Sequence, residues 1–156
     1  MKMNSLVDKR CIRALYRASQ AGVGVDLSIR GICCLRPGVE GVSEHIRVHS
    51  VVGRFLEHSR IYAFHRGDEV SVWAGSADLM PRNLDTRVEL MVPVLDPAVR
   101  DDLLDTLERC LADDVGAWEL APDGLWRRRE TGPEPRSAQR ELMVKHAVRA
   151  GVDAPV

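Results

Sequence analysis

Gly53–Asp85, GRFLEHSRIYAFHRGDEVSVWAGSADLMPRNLD, is the stretch that decides the fold. Ile61–Phe64 and Val70–Trp73 are short runs of β-branched and aromatic residues. His65-Arg66-Gly67-Asp68 between them carries turn chemistry, so the stretch reads as one β-hairpin. Closing it there pairs Phe64 with Glu69 and, two residues at a time, sets Arg60 opposite Trp73 and His58 opposite Gly75, beside Ser76. Side chains alternate along a strand, so His58 and Arg60 share a face and point toward the loop Gly75–Asp85, which carries Ser76, Asp78, Arg82 and Asn83. A lone histidine is more often packed or solvated than catalytic. Here His58, Arg60, Ser76 and Asp78 converge at one strand end. An imidazole beside guanidinium forks, hydroxyl and carboxylate groups suits the handling of phosphoryl groups by proton transfer and charge stabilisation. Arg82 and Asn83 are the weaker candidates of this set.

Outward from the hairpin, the elements alternate between helix and strand. Lys2-Met3-Asn4 reads as the end of a strand. Cys11, Ile12, Leu15 and Ala18 recur at helical spacing between a capping Asp8 and Gly22, and Val25–Arg30 reads as a strand buried on both faces, which completes a βαβ unit. Ligands of open α/β sheets sit at the carboxyl ends of strands, so Arg30 is placed to meet an anion. Cys33–Ser43 reads as a loop and Ile46–Val52 as a strand, with His45 and His49 as surface or edge groups. Beyond the hairpin, Thr86–Val92 alternates like a strand that brings Arg87 into the sheet beside the loop. Asp96-Pro97 opens a helix to about Ala112 with Val99, Leu103, Leu107, Cys110 and Leu111 as its buried stripe. A small hairpin over Trp118–Trp126, a solvated basic run Arg127–Arg129, a linker Thr131–Arg136 and a helix Ser137–Ala150 ended by Gly151 complete the chain. The fold class is α/β, a mixed β-sheet flanked by helices. Residues 1–150 form a single domain and 151–156 a tail.

At 156 residues the chain has room for one real core. With 45% hydrophobic and 29% charged residues it has the make-up of a globular protein, and no apolar run is long enough to span a bilayer. The formal net charge of −1 speaks against a broad, non-specific nucleic-acid surface. Cys11, Cys33, Cys34 and Cys110 lack metal-binding spacing, and the neighbours Cys33-Cys34 cannot easily bridge each other, as suits a reduced cytoplasmic setting. Association with a membrane surface is left open. Of the 22 basic residues 19 are arginine, the better bidentate partner of phosphate. A genome rich in arginine codons explains such a bias equally well, so only individually placed arginines count.

RGICCLRPGV (Arg30–Val39), RFLEHSRIY (Arg54–Tyr62) and GSADLMPRNLD (Gly75–Asp85) closely resemble the carboxy-terminal domain of bacterial polyphosphate kinase, the long histidine-phosphorylating family. The likeness runs from KMNSLVD (Lys2–Asp8) to about His146. It implies a domain lying inside a longer chain, after the upstream domains that carry the phosphorylated histidine. It further implies reversible transfer of the γ-phosphoryl of ATP to inorganic polyphosphate, magnesium accompanying the ATP/ADP, and a homo-oligomer at full length. By this resemblance His58 is required for catalysis and Arg30 and Arg87 contact substrate phosphates; Arg60, Ser76 and Asp78, brought beside His58 by the hairpin, are assigned to orienting the site. No metal ligand is expected from this part of the chain. His58-x-Arg60 with Gly75-Ser76-x-Asp78 is also similar to the H-x-K and G-S-x-N signature of the phospholipase D superfamily, and the fold expected is therefore a phospholipase D-like half. Arg replaces Lys and Asp replaces Asn, so phosphodiesterase chemistry does not carry over on the motif. That activity, and a non-catalytic polyanion-binding module, are the two competing functions.

Overall fold

The computed structural model describes residues 1–153, so the last residues of the expected tail lie outside the described part. Its strands are β1 (Lys2–Met3), β2 (Val25–Ile29), β3 (Ile46–Val51), β4 (Arg60–Arg66), β5 (Glu69–Gly75), β6 (Met91–Pro93), β7 (Ala117–Leu120) and β8 (Trp126–Arg128). They form one mixed sheet in the order β6-β5-β4-β1-β2-β3-β7-β8. The helices are α1 (Lys9–Gln20), α2 (Pro97–Ala112) and α3 (Ala138–Ala150). This is the mixed α/β sheet with flanking helices that the residues led one to expect.

The helix ends follow their capping chemistry. Asp8 accepts the Cys11 amide at 2.9 Å, and Asp96 accepts the Val99 amide at 3.0 Å with Pro97 in the first turn. At α3 the Ser137 side chain makes no cap bond, and Asp113, brought in from beyond α2, takes the Ala138 amide instead at 2.7 Å. Gly151 ends α3 in the left-handed conformation. One face of the sheet holds the main core, where Ile12 and Leu15 of α1 pack on Met3, Leu27, Ile29, Ile46, Val48 and Tyr62. A smaller cluster of Ile61, Val72 and Leu107 joins α2 to the hairpin. The buried stripe of α2 is shorter than its periodicity suggests: Leu107 and Cys110 are buried, but Val99 is 51% exposed.

Three expectations change. The hairpin turn is tighter than read, with Arg66 opposite Glu69 and only Gly67-Asp68 between them, so Arg60 faces Gly75 and Tyr62 faces Trp73. A two-residue turn needs the positive φ that Gly67 supplies at 58°, and it matches the twist of the flanking strands better than the longer loop. Because the slip is by two residues, every side chain keeps its face. The strand expected over Thr86–Val92 shrinks to Met91–Pro93, because Arg82–Thr86 winds into a π-helical turn and Glu89 is drawn into bonds with the loop. Arg87 therefore leaves that turn on irregular, exposed backbone and does not ride a strand.

His49 is the third. It is buried, at 6% exposed, because β7 and β8 pair outside β3 and so make it an interior strand. Burial first, then repulsion from Arg129, pushes the imidazole down to about 4 from its ordinary 6.5, with Asp26 pulling the other way. A group that protonates more readily when unfolded favours unfolding as pH falls through the window between its two values. The domain should therefore lose about 3 kcal/mol of stability between pH 6.5 and 4. Urea unfolding at the two pH values checks this, and His49→Gln should flatten the difference. An unchanged slope in that variant would remove His49 as its source.

Candidate functional site

β1, β2 and β5 run parallel and β4 runs against them, so the carboxyl ends of the first three and the start of β4 meet on one edge of the sheet. Asn4 follows β1, Arg30 follows β2, Ser76 and Asp78 follow β5, and His58 precedes β4. Beyond β1 the chain stays extended, and Leu6 bridges Cys33 on one side and Leu79 on the other. The loops that carry Arg30 and Asp78 are thereby held on either side of residues 4–8, with the Val7 and Asp8 amides donating to the Leu79 carbonyl at 2.9 Å.

Asp78, 6% exposed, is the anchor. Its Oδ1 accepts the Asn4 amide at 2.7 Å and the Ser5 amide at 3.3 Å. Arg60 donates to the same carboxylate through Nε at 3.3 Å and Nη2 at 3.1 Å. Burial works against its charge, but the Arg60 fork and the two amides outweigh it and hold the carboxyl below its ordinary value. Arg60 also donates to the His58 carbonyl at 2.6 Å, so its guanidinium ties the two loops together.

His58 is exposed, and the segment before it is clamped from behind. Glu57 pairs with the buried Lys2 at 3.1 Å and accepts from Gln139 at 2.8 Å, while Gln139 exchanges bonds with the Phe55 amide and carbonyl. Gly53 permits that approach, since a Cβ there would lie 2.5 Å from the Gln139 Oε1. The His58 ring lies with Nδ1 3.5 Å from the Asn4 Nδ2, and the Arg30 Nε donates to the Asn4 Oδ1 at 3.0 Å. Imidazole and guanidinium are thus held through one amide. No bond among the described residues takes up the Nη groups of Arg30, and Arg82 and Arg87 are exposed without an ion pair there. By contrast Arg47, Arg100, Arg109, Arg127, Arg129, Arg136 and Arg149 lie in salt bridges away from this edge, and Arg10 pairs with Asp85 at the end of the site loop. Arg13, Arg17, Arg54, Arg66 and Arg140 likewise lack an ion pair among the described residues, so Arg30, Arg82 and Arg87 are set apart by their place in the loops beyond β2 and β5.

Ser76 and Asn83 meet at Glu89, which accepts from both; the Ser76 hydroxyl in turn accepts the Leu90 amide at 3.1 Å. Those two bonds, the serine's first, hold the Glu89 carboxyl below its usual range, with Arg87 and Arg60 adding to the effect. Asn83 is 5% exposed and its Oδ1 is without a partner among the described residues. Those residues present no group of three or more His, Cys, Asp or Glu arranged for a metal ion, and Asp78 and Glu89 are spent on Arg60, Ser76 and Asn83.

The model of the family described as polyphosphate kinase C-terminal domain 2 matches residues 1–139. The chain belongs to that family. It is 54% identical over 155 residues to the polyphosphate kinase of Synechocystis sp., covering 99% of this chain and 21% of the relative. It is 52% identical over 158 residues to that of Streptomyces coelicolor, again covering 99% and 21%. Among solved structures, the crystal structure of polyphosphate kinase from Porphyromonas gingivalis superposes with a TM-score of 0.87 at 42% identity, over 96% of this chain and 23% of that one. The chain spans about a fifth of the length of the curated relatives it matches.

In this polyphosphate kinase domain the residues picked out from sequence divide into three groups. His58, Arg30, Arg60 and Asp78 are linked in one network through Asn4. Ser76 and Asn83 belong to a second centred on Glu89. Arg82 and Arg87 stand free at its rim. Sequence reading missed Asn4, Glu89 and the Lys2–Glu57–Gln139 clamp. Asn4 was within reach, since it closes a strand as Arg30 does and the same carboxyl-end rule applies to it. Glu89 was hidden by the misread strand, and the clamp joins residues up to 84 positions apart. No helix among the described residues is long and apolar enough to cross a membrane.

Proposed function

We propose that the domain supplies one wall of a phosphoryl-transfer site, acting within a longer polypeptide that moves the γ-phosphoryl of ATP reversibly onto inorganic polyphosphate. The observation that carries this reading is the coupling of His58 and Arg30 through a single buried amide at the strand ends, with the Arg30 fork otherwise free. Phosphoryl transfer asks a protein mostly for position and for charge stabilisation on the moving oxygens. Arg30 and Arg87 hold substrate phosphate oxygens, and the exposed His58 ring meets the transferring group as hydrogen-bonding and proton-exchanging partner. Arg60 and Asp78 are engaged with each other and act by positioning, and Ser76 and Asn83 shape the neighbouring loop through Glu89. The nucleophilic histidine belongs to an upstream part of the polypeptide, and magnesium accompanies the nucleotide. The active form is a homo-oligomer.

This division of labour is tested on the 156-residue chain itself. Incubated with labelled ATP and magnesium, it should form no acid-labile phosphohistidine and no polymer, yet bind tripolyphosphate with an affinity that falls as salt rises. Arg30→Ala should weaken that binding about tenfold at low salt, as expected when a charge-assisted contact to phosphate is lost. Stoichiometric labelling at His58 would make His58 the nucleophile and overturn the assignment; unchanged binding by Arg30→Ala would remove the clamp.

A further inference from the structure

Asn4 sits at the carboxyl end of β1, 7% exposed, and its carbonyl accepts the Gly31 amide at 2.8 Å. Its backbone amide donates to the Asp78 Oδ1 at 2.7 Å, its Oδ1 accepts from the Arg30 Nε at 3.0 Å, and its Nδ2 stands 3.5 Å from the His58 Nδ1. We infer that Asn4 is a positioning residue that sets which nitrogen of His58 carries the proton.

The Arg30 bond settles which way the amide points. Reversing it would set an NH2 against the Nε–H of a permanently charged guanidinium, two donors 3.0 Å apart. With Oδ1 committed to Arg30, Asn4 can offer His58 only a donor. The neutral imidazole therefore accepts at Nδ1 and keeps its proton on Nε2, because a ring nitrogen's state follows from the bond its partner makes. His58 then presents an N–H at the edge of the ring away from Asn4.

That orientation matters for the phosphoryl-transfer reading, on which this last step rests. The oxygens of a phosphate chain carry lone pairs and want donors, and Nε2–H offers one where the other tautomer would offer a repelling lone pair. Taking up a further proton at Nδ1 requires the ring to leave Asn4. The same amide orders Arg30, so the clamp and the ring are set together, each by a bond that the other's partner orients. Asn4 touches no substrate in this scheme; it acts through His58 and Arg30.

The tautomer can be read directly on this chain with 15N-labelled histidine. Long-range proton–nitrogen correlations at pH about 8.5, well above the ordinary imidazole value of about 6.5, separate the two neutral forms. His58→Gln identifies the signal among the five histidines. The unchanged chain should show Nε2–H at His58. Asn4→Asp keeps the acceptor for Arg30 and replaces the donor by an acceptor, so His58 should switch to Nδ1–H. Arg30→Leu leaves the Asn4 backbone bond in place and frees the side-chain amide to turn, so the preference should fade even if Asn4→Asp folds poorly. In a longer polypeptide that makes polyphosphate, Asn4→Asp should lower kcat about 10–100-fold with KM little changed. Nδ1–H in the unchanged chain, or Nε2–H retained in both variants, overturns the inference. Loss of synthesis in His58→Ala beside an unmoved tautomer would sink this inference alone. A tautomer that switches as stated while His58→Ala synthesises normally would sink the phosphoryl-transfer reading and leave the role of Asn4 standing.

Discussion

Replacing His58 by alanine should cut ATP-dependent polyphosphate synthesis about 100- to 1000-fold in a polypeptide that carries this domain together with its upstream part. The ring is exposed and its bond to the protein is the long one to Asn4, while the Arg60 bond to the His58 backbone carbonyl survives truncation, so removing the ring costs the fold little. Loss of rate should therefore come without loss of stability. That combination separates a group that meets substrate from one that packs. His58→Gln, which restores a polar side chain but no imidazole, should recover only a small part of the rate. Initial rates at saturating ATP, with urea unfolding of the same variants, decide the matter. Synthesis within a few-fold of the unchanged enzyme would remove His58 from the reaction.

The opposite pattern is expected at Asp78. Asp78→Ala strips a nearly buried carboxylate from Arg60, whose side chain is 18% exposed, and leaves the Asn4 and Ser5 amides without their acceptor. Breaking one side of a buried pair usually costs about 3–5 kcal/mol. The lower end applies here, because Arg60 keeps its bond to the His58 carbonyl. Asp78→Asn retains an acceptor and should lose less. The carboxyl is held below its ordinary value, so its contribution is complete above pH 3.8 and is lost as pH falls through the lowered one. This window lies below that of His49. A loss under about 1 kcal/mol for Asp78→Ala at pH 7 would mean that the Arg60 fork finds water as good a partner.

How much of this was legible in the chain depends on the range of the interaction. α1 and α2 were readable because Asp8 and Asp96 cap within three residues of themselves, and β2 because its apolar run stands between a helix stop and Arg30. The hairpin was recognisable, but its register turned on whether Gly67 alone takes the positive φ, which composition cannot decide. The slip by two left His58 and Arg60 near the right loop for a different reason than expected: Arg60 reaches Asp78 from the end of the ladder, and His58 lies beyond it. Alternation in Thr86–Val92 imitated a strand because Arg87, Glu89 and Met91 recur at period two, yet the pull of Ser76 and Asn83 on Glu89 outweighs the ladder. The burial of His49 followed from a hairpin 70 positions away pairing outside β3, with Trp118 opposite Ser50 and Glu119 opposite His49. Local rules carry no information about such a neighbour.

β1 is only two residues long, yet it lies between β4 and β2 in the middle of the sheet, and the bonds of Asn4 just beyond it span 26, 54 and 74 positions. So short a strand has no stability of its own and persists only while both neighbours flank it. The two halves of the sheet, the β4–β5 hairpin on one side and β2 with β3 on the other, are stitched through it late, once long loops have closed. The Asn4 and Ser5 amides should therefore exchange with solvent only when β1 is released from its neighbours, although the His58 ring beside them is open to solvent. Release of β1 would free Asn4 from Asp78, Arg30 and His58 together, so ring, guanidinium and anchor would be lost in one event.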